Sequence, residues 1–129
     1  MVLAEKLVTA LQRGTVNTRW RDFADIYLLS HHQPVDANAL HAALTAVANH
    51  RGAELAPLAD ALANYNQTPG VQAKWAAWRR GQQLDDRLPE AFADVLTQVF
   101  AFADPAITGA AADAIWRLDD LTWVHRAPD

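Results

Sequence analysis

The strongest constraint on the fold is a helical repeat of large apolar residues near the end of the chain. Phe92, Val95, Leu96, Val99 and Phe100 follow the spacing i, i+3, i+4, i+7 and i+8. An α-helix turns once in about 3.6 residues, so this spacing places all five side chains on one face. Alanine is abundant throughout, while glycine and β-branched residues are sparse, which also favours helix. The sequence therefore predicts an all-α fold.

Glycine, proline and helix-capping residues divide the chain into six predicted helices. In chain order these span residues 3–13, 19–31, 37–51, 57–63, 71–83 and 89–104. The segment after Pro105 reads either as a small hairpin or as an irregular stretch that docks Trp116 and Trp123 on the helices. We expect residues 1–129 to form a single helical domain, a bundle of five or six helices with a short extended C-terminal tail.

Composition excludes several classes of protein. The chain has no cysteine, so disulfides and thiolate metal sites are ruled out. Its first residues lack the basic segment and apolar run of a secretory signal. Every apolar stretch is interrupted well before the roughly 20 residues that a membrane span requires. These features predict a cytoplasmic protein without a membrane partner.

The net charge of −4 is unevenly distributed. Residues 1–21 contain Lys6, Arg13, Arg19 and Arg21 against Glu5 alone, a balance of +3 that leaves −7 for the rest of the chain. A basic start on an acidic chain marks a candidate site for an anionic ligand.

The second predicted helix carries charged residues among large apolar ones. Asp22 and Asp25 are three residues apart and share one face, where like charges repel unless a cation joins them. The candidate cations are Arg19 and Arg21 of the same helix and Lys6 of the preceding helix. One interpretation is an ion-paired seam between two helices, formed because unpaired charges are costly to desolvate. The other is a pocket that binds an anion through Lys6 and an arginine.

The same residues carry a family resemblance. The segments Ala4-Glu5-Lys6-Leu7, Arg13-Gly14 and Arg19-Trp-Arg-Asp-Phe-Ala-Asp-Ile26 resemble the C-terminal signature of the AbiEii/AbiGii nucleotidyltransferase toxins. That signature reads Glu-Lys-Leu followed by Arg-x-Lys/Arg-Asp-aromatic-x-Asp. The helical tail of the family is also similar to later segments of this chain. Those segments are Trp75-x-x-Trp78-Arg79-Arg80, Pro89 with Phe92, and Phe102-Ala103-Asp104-Pro105.

The resemblance implies an enzyme that transfers a nucleotide from an NTP, with Mg²⁺, onto an acceptor, which is tRNA in several such toxins. It implies the toxin half of a toxin–antitoxin or phage-defence module, with a cognate antitoxin as partner. Lys6 matches the essential lysine that contacts the NTP phosphates, and Asp22 matches the essential late aspartate. Asp25 is the second acidic position, so Lys6, Asp22 and Asp25 are the candidate catalytic residues. Arg19 and Arg21, with Lys6, are the candidate nucleotide-binding residues.

One part of the family pattern is absent from this sequence. The N-terminal half of such enzymes carries a Gly-Ser turn and an Asp-x-Asp pair that holds the metal. This sequence contains neither a Gly-Ser dipeptide nor an Asp-x-Asp pair. We therefore expect the C-terminal helical half of the enzyme, which binds no metal or cofactor alone and is inactive without a missing N-terminal catalytic half. A split gene product, a late start codon or a decayed toxin would each produce such a chain.

The sequence also leaves other interpretations open. Lys74, Arg79 and Arg80 alternate with Trp75 and Trp78, a pattern that fits either core packing or contact with RNA. The rival function is a non-catalytic helical interaction module that binds an antitoxin or self-associates. A small RNA-binding protein that uses the Trp75–Arg80 face is a third, which the acidic balance of the chain disfavours.

Overall fold

The computed structural model describes residues 2–13, 20–63, 65 and 68–125, and within them the chain is mostly helical. Its elements in chain order are α1 (Val2–Arg13), α2 (Trp20–Ser30), β1 (Val35–Asp36), α3 (Ala37–Arg51), α4 (Leu58–Ala61), α5 (Val71–Gly81), α6 (Phe92–Thr108), β2 (Ala114–Arg117) and β3 (Thr122–His125). The six predicted helices are confirmed, with different ends. The expectation of an all-α fold holds only in outline, because the described residues also form a small antiparallel sheet.

Helix α6 lies at the centre of the core and packs against α2, α3, α4 and α5. The apolar repeat that predicts this helix is largely inside it: Phe92, Val95, Leu96 and Val99 are buried, and Phe100 is partly buried. Aromatic rings from α2 and α5 surround the start of the helix at edge-to-face and tilted angles, which adds to the stability gained from burial. The core thus holds α2, the helix with the two aspartates, at a fixed position.

Helix α6 begins at Phe92 rather than at Pro89, because side chains of α5 hold the preceding turn in a non-helical conformation. The backbone carbonyls of residues 88–90 accept hydrogen bonds from Arg79, Trp75 and Gln72 respectively. The Gln72 carbonyl oxygen in turn accepts the Phe92 backbone N–H at 2.8 Å, which satisfies a donor that the first turn of a helix leaves free.

Helix α6 also continues through Pro105 to Thr108, although the sequence predicts that it ends at Asp104. A proline in a helix removes one hydrogen bond and displaces the carbonyl four residues earlier. Here that carbonyl belongs to Ala101, which is exposed and therefore open to water. Beyond the proline, Ala106 and Ile107 are buried in the core. Packing of this last turn outweighs the local cost of the proline.

The three strands form an antiparallel sheet in the order β1-β2-β3, with Val35 opposite Trp116 and Trp116 opposite Trp123. The hairpin alternative for the tail is confirmed. Both tryptophans anchor it: Trp116 Nε1 donates to the Ser30 carbonyl at 2.8 Å, and Trp123 Nε1 donates to the Phe102 carbonyl at 2.9 Å.

Asp104 fixes the short helix α4 to α6. Its carboxylate accepts the backbone N–H of Leu58 at 2.7 Å and that of Ala59 at 3.2 Å, so it caps α4 from another helix. Burial raises the pKa of Asp104 above the ordinary value of 3.8, the two backbone hydrogen bonds lower it by less, and repulsion from Asp60 adds to the rise.

We expect Asp104→Asn to alter how stability depends on pH. A carboxyl whose pKa is higher in the folded state contributes most to stability below 3.8, and this contribution falls as the pH rises through the folded pKa. The free energy of unfolding of the wild type, minus that of the variant, should therefore decrease as the pH is raised from below 3.8 through the folded pKa. Urea titrations across this range measure the difference, with exposed Asp86→Asn as the control. An increase with pH would contradict the assignment.

Candidate functional site

The candidate site lies on the seam between α1 and α2. Helix α1 buries one stripe of small and large apolar residues, of which Leu3, Ala4 and Leu7 are examples. Lys6 sits at the edge of this stripe, with a side chain that is 24% exposed. Because α1 packs directly on α2, Lys6 faces the aspartates of the neighbouring helix.

Lys6 joins both aspartates. Its Nζ lies 2.8 Å from Asp25 Oδ2 and 3.8 Å from Asp22 Oδ1. The aspartate side chains are 16% (Asp22) and 27% (Asp25) exposed, so all three groups lie at the surface rather than in the closed core. The ion-paired seam is therefore confirmed as a structural feature. An anion can still approach Lys6, because the ammonium has three N–H donors and makes one short contact.

The formal charge of this cluster is −1, because one lysine meets two aspartates. A triphosphate is strongly anionic, so the cluster alone repels it at short range. A second source of positive charge is needed before Lys6 can hold phosphate oxygens. The geometry therefore supports a site that is completed by cations from elsewhere.

Arg21 does not join the cluster in the described part of the chain. Its guanidinium is exposed and donates to Gln82 Oε1 at 2.9 Å, which links the start of α2 to the end of α5. Among the described residues, neither Asp22 nor Asp25 forms an ion pair with an arginine. Arg19, the other nucleotide-binding candidate, lies outside the described residues.

The described residues do not form a magnesium site. In the described ranges, no group of three or more His, Asp or Glu side chains is arranged to hold a metal ion. The two carboxylates of the seam already share the Lys6 ammonium, which takes the place a cation would need. The Mg²⁺ that the resemblance implies thus has no set of ligands among the residues described.

The three candidate RNA-contact residues are not equivalent. Arg79 is partly buried, and its guanidinium donates to the carbonyls of Leu88 and Asp85, so it stabilises the loop after α5. Lys74 and Arg80 are exposed. Trp75 is fully buried and Trp78 stacks on it, which confirms the core-packing interpretation of both tryptophans. An RNA base therefore has no access to the Trp75 ring, and RNA contact through Lys74 and Arg80 stays a prediction.

A mostly apolar groove lies one helical turn from Lys6. It has a volume of about 510 Å³ and is bordered by the first turn of α1, the end of α2 and the start of α3. Its apolar lining residues are Leu3, Leu29, Pro34, Val35 and Ala39. Leu3 and Lys6 are three residues apart on α1 and thus adjacent on its surface. Any segment that fills the groove comes within reach of Lys6.

Two hydrogen bonds in the structure are not predicted from the sequence. His41 Nδ1 bonds the Ala106 carbonyl at 2.8 Å, and this carbonyl belongs to the last turn of α6, where helices leave carbonyls unsatisfied. Arg51 Nη1 donates to Thr9 Oγ1 at 2.7 Å and brings the end of α3 over α1. Both contacts join residues more than forty positions apart, so no local pattern in the sequence signals them.

The fold and the charged seam define a mostly helical protein with a lysine–aspartate cluster at the junction of its first two helices. The family model described as nucleotidyl transferase AbiEii toxin, type IV toxin–antitoxin system, matches residues 1–103. The chain therefore belongs to the AbiEii nucleotidyl transferase toxin family, and this membership implies an antitoxin partner. No curated protein and no solved structure matches the chain.

The matched region contains the whole seam and the groove, and it ends inside α6. The hairpin of β2 and β3 lies beyond it. In the part of the chain that the structure describes, no helix has the length and apolarity needed to cross a membrane.

Proposed function

We propose that this chain supplies the helical, NTP-side half of an AbiEii-type nucleotidyltransferase toxin that modifies an acceptor, with tRNA as the expected acceptor. Within this half, Lys6 binds phosphate oxygens of the NTP, while Asp22 and Asp25 are the acidic positions of the site. A second polypeptide or segment carries the carboxylates that hold Mg²⁺. The expected setting is the cytoplasm, in a toxin–antitoxin or phage-defence module.

The observation that carries the proposal is the partly exposed Lys6 ammonium between Asp22 and Asp25, on the segment that the family model matches. The two carboxylates hold the lysine at one position, so it need not lose further rotamer freedom when a ligand binds. Transfer of a nucleotide depends mainly on positioning and on neutralising charge as it develops. A preoriented lysine contributes to both.

The net negative charge of the cluster supports the proposal that this chain is inactive alone. Lys6 needs an additional cation nearby before a triphosphate is stable beside the aspartates. The apolar groove next to Leu3 offers a surface on which the metal-binding half can pack within one turn of Lys6. In this arrangement the two halves meet at the seam, and Mg²⁺ held by the second half would supply the positive charge that a triphosphate beside Lys6 needs.

The test is nucleotide transfer measured with and without the second half. The DNA upstream of the Met1 codon is sequenced first, and any segment that encodes a Gly-Ser turn and an Asp-x-Asp pair is co-expressed with this chain. Radiolabelled NTPs are then incubated with total tRNA. We expect label on RNA only when both halves and Mg²⁺ are present.

Two results would contradict the proposal. The first is transfer by this chain alone at a rate equal to that of the pair. The second is transfer by the pair that is unaffected by Lys6→Met. Arg87→Met is the matched control, since Arg87 is an exposed cation between α5 and α6 and is not among the residues that form the ion pairs of the seam.

The rival candidate is a non-catalytic module that binds an antitoxin or a second copy of itself, and the same apolar groove is the observation that favours it. Gel filtration coupled to light scattering distinguishes the two. A tight homodimer that Leu29→Asp dissociates would favour self-association through the groove. A monomer that gains transfer activity with the second half would favour the enzyme.

A further inference from the structure

An open polar depression lies on the opposite end of α1 from the apolar groove. Its volume is about 560 Å³, and its lining residues are Thr9, Gln12 and Arg13 of α1 with Arg51 of α3. The hydrogen bond from Arg51 Nη1 to Thr9 Oγ1 fixes one guanidinium over α1. Within the described part of the chain, the remaining N–H groups of both arginines and the amide of Gln12 form no other hydrogen bond, so they are donors available to a ligand.

The charge of this depression is opposite to that of the seam. Among the described residues, no carboxylate lies within ion-pair distance of Arg13 or Arg51, so the depression has a formal charge of +2 on a chain of net charge −4. The last turn of a helix stabilises a cation through the helix dipole, which explains why each arginine is tolerated at its helix end. The helix dipole does not explain why arginines of two different helices line the same depression, together with the Thr9 hydroxyl and the Gln12 amide.

The residues that line the depression also limit the chemical class of its ligand. They provide hydrogen-bond donors and two guanidinium groups, and no aromatic or large apolar side chain of the described residues lines the depression. Guanidinium groups bind phosphate oxygens well, often through two parallel hydrogen bonds. A nucleotide base, in contrast, needs a ring or an apolar wall on which to stack. The depression therefore fits a phosphate group and not a base.

We propose that Thr9, Gln12, Arg13 and Arg51 bind the phosphodiester backbone of the nucleic-acid strand whose end receives the nucleotide. The contact is independent of base sequence. The binding itself follows from the depression, whereas the role of the strand as acceptor rests on the proposed function.

The distance from the depression to the seam fits this role. Arg13 follows Lys6 by seven residues, or about 10 Å along the helix axis, and lies on nearly the same face. A strand rises roughly 3.4 Å per nucleotide, so about three nucleotides cover the interval. A strand whose phosphates sit at Arg13 and Arg51 thus presents its end beside Lys6, where the transferred nucleotide is expected.

The experiment is fluorescence anisotropy with a labelled single-stranded RNA 12-mer of mixed sequence, over a series of salt concentrations and without NTP. The double variant Arg13→Gln/Arg51→Gln should bind at least about tenfold more weakly than the wild type. Its slope of log affinity against log salt should be shallower by about 1.4, since each phosphate contact contributes roughly 0.7 for single strands. The same DNA 12-mer distinguishes RNA from DNA as the source of the phosphates.

Matched variants separate the depression from the rest of the surface. Arg87→Gln removes one exposed charge elsewhere and should leave affinity and slope nearly unchanged. Arg13→Lys/Arg51→Lys keeps the charge and should recover most of the lost binding. Thermal unfolding of every variant checks that the fold is intact.

Three outcomes would overturn the inference: wild-type chain that does not bind either 12-mer, equal binding by the double variant, or a loss that Arg87→Gln reproduces. A fourth is selective binding of ATP, with the same dependence on the two arginines and no binding of RNA or DNA. Because none of these measurements uses nucleotide transfer, failure of the transferase proposal would leave strand binding intact. Failure of strand binding would likewise leave the role of Lys6 untouched.

Discussion

Replacing Trp116 by alanine is expected to lower the free energy of unfolding by about 3–5 kcal/mol, as is usual when a buried tryptophan is truncated. The Trp116 ring is fully buried and packs edge-to-face on Phe102 and against Trp123. The substitution leaves a cavity and removes the donor to the Ser30 carbonyl in the last turn of α2. The total free energy of unfolding of a small domain is only about 5–15 kcal/mol, so this variant is close to unfolding.

Trp116→Phe separates the contribution of ring packing from that of the lost hydrogen bond and the smaller volume. The phenyl ring retains much of the packing but has no N–H, so the variant measures the smaller volume and the lost hydrogen bond, together about 1–2 kcal/mol. Urea denaturation followed by circular dichroism avoids the change in tryptophan fluorescence. Val124→Ala, on the exposed side of β3, is the control and should change stability by less than about 0.5 kcal/mol. A loss below about 1 kcal/mol for Trp116→Ala would mean that the hairpin is not fixed to the core in solution.

Lys6→Met is expected to reduce nucleotide transfer by the completed enzyme by at least about 100-fold, the usual consequence of removing one donor to developing charge. The same substitution should cost only about 1–2 kcal/mol of stability. It leaves Asp22 and Asp25 without their shared cation, but both are partly exposed, so water screens much of their repulsion. Transfer assays and urea titrations on the same preparations measure the two effects separately.

Asp25→Asn in the Lys6→Met background distinguishes a structural lysine from a functional one. Neutralising one aspartate removes the repulsion, so the double variant should regain most of the lost stability. Because Asp25 is itself a candidate catalytic residue, transfer by the double variant is compared with transfer by Asp25→Asn alone. If Lys6 binds the nucleotide, the double variant stays far below Asp25→Asn. If Lys6 only holds the two helices together, the two variants transfer equally, and that result would contradict the assignment of Lys6.

The sequence alone predicts the helices well, because each depends on local patterns. The apolar repeat at residues 92–100 predicts the central helix, and Gly52 ends α3 with a φ of 66°, a left-handed conformation that glycine adopts readily. The pairing of Lys6 with two aspartates is also anticipated, since both helices carry their charges at the edges of apolar stripes. Family membership follows from the same short segments.

Other features depend on contacts between residues far apart in the sequence. The start of α6 is set by Gln72, Trp75 and Arg79, whose hydrogen bonds hold the turn before it. The sheet forms because Val35, between α2 and α3, pairs with Trp116 near the end of the chain. A pattern confined to neighbouring residues carries no information about such pairs.

For the charged residues, too, the sequence predicts their positions on the helices but not their partners. Sequence spacing places Arg21 close enough to pair with Asp25, yet in the structure it bonds with Gln82, because the start of α2 lies beside the end of α5. Arg51 meets Thr9 only because α3 packs across α1. The amino-acid sequence thus determined which helices form and which of their faces carry charge. Only the packing of those helices decided which charges meet, because electrostatic and hydrogen-bond contacts depend on distance in space and not along the chain.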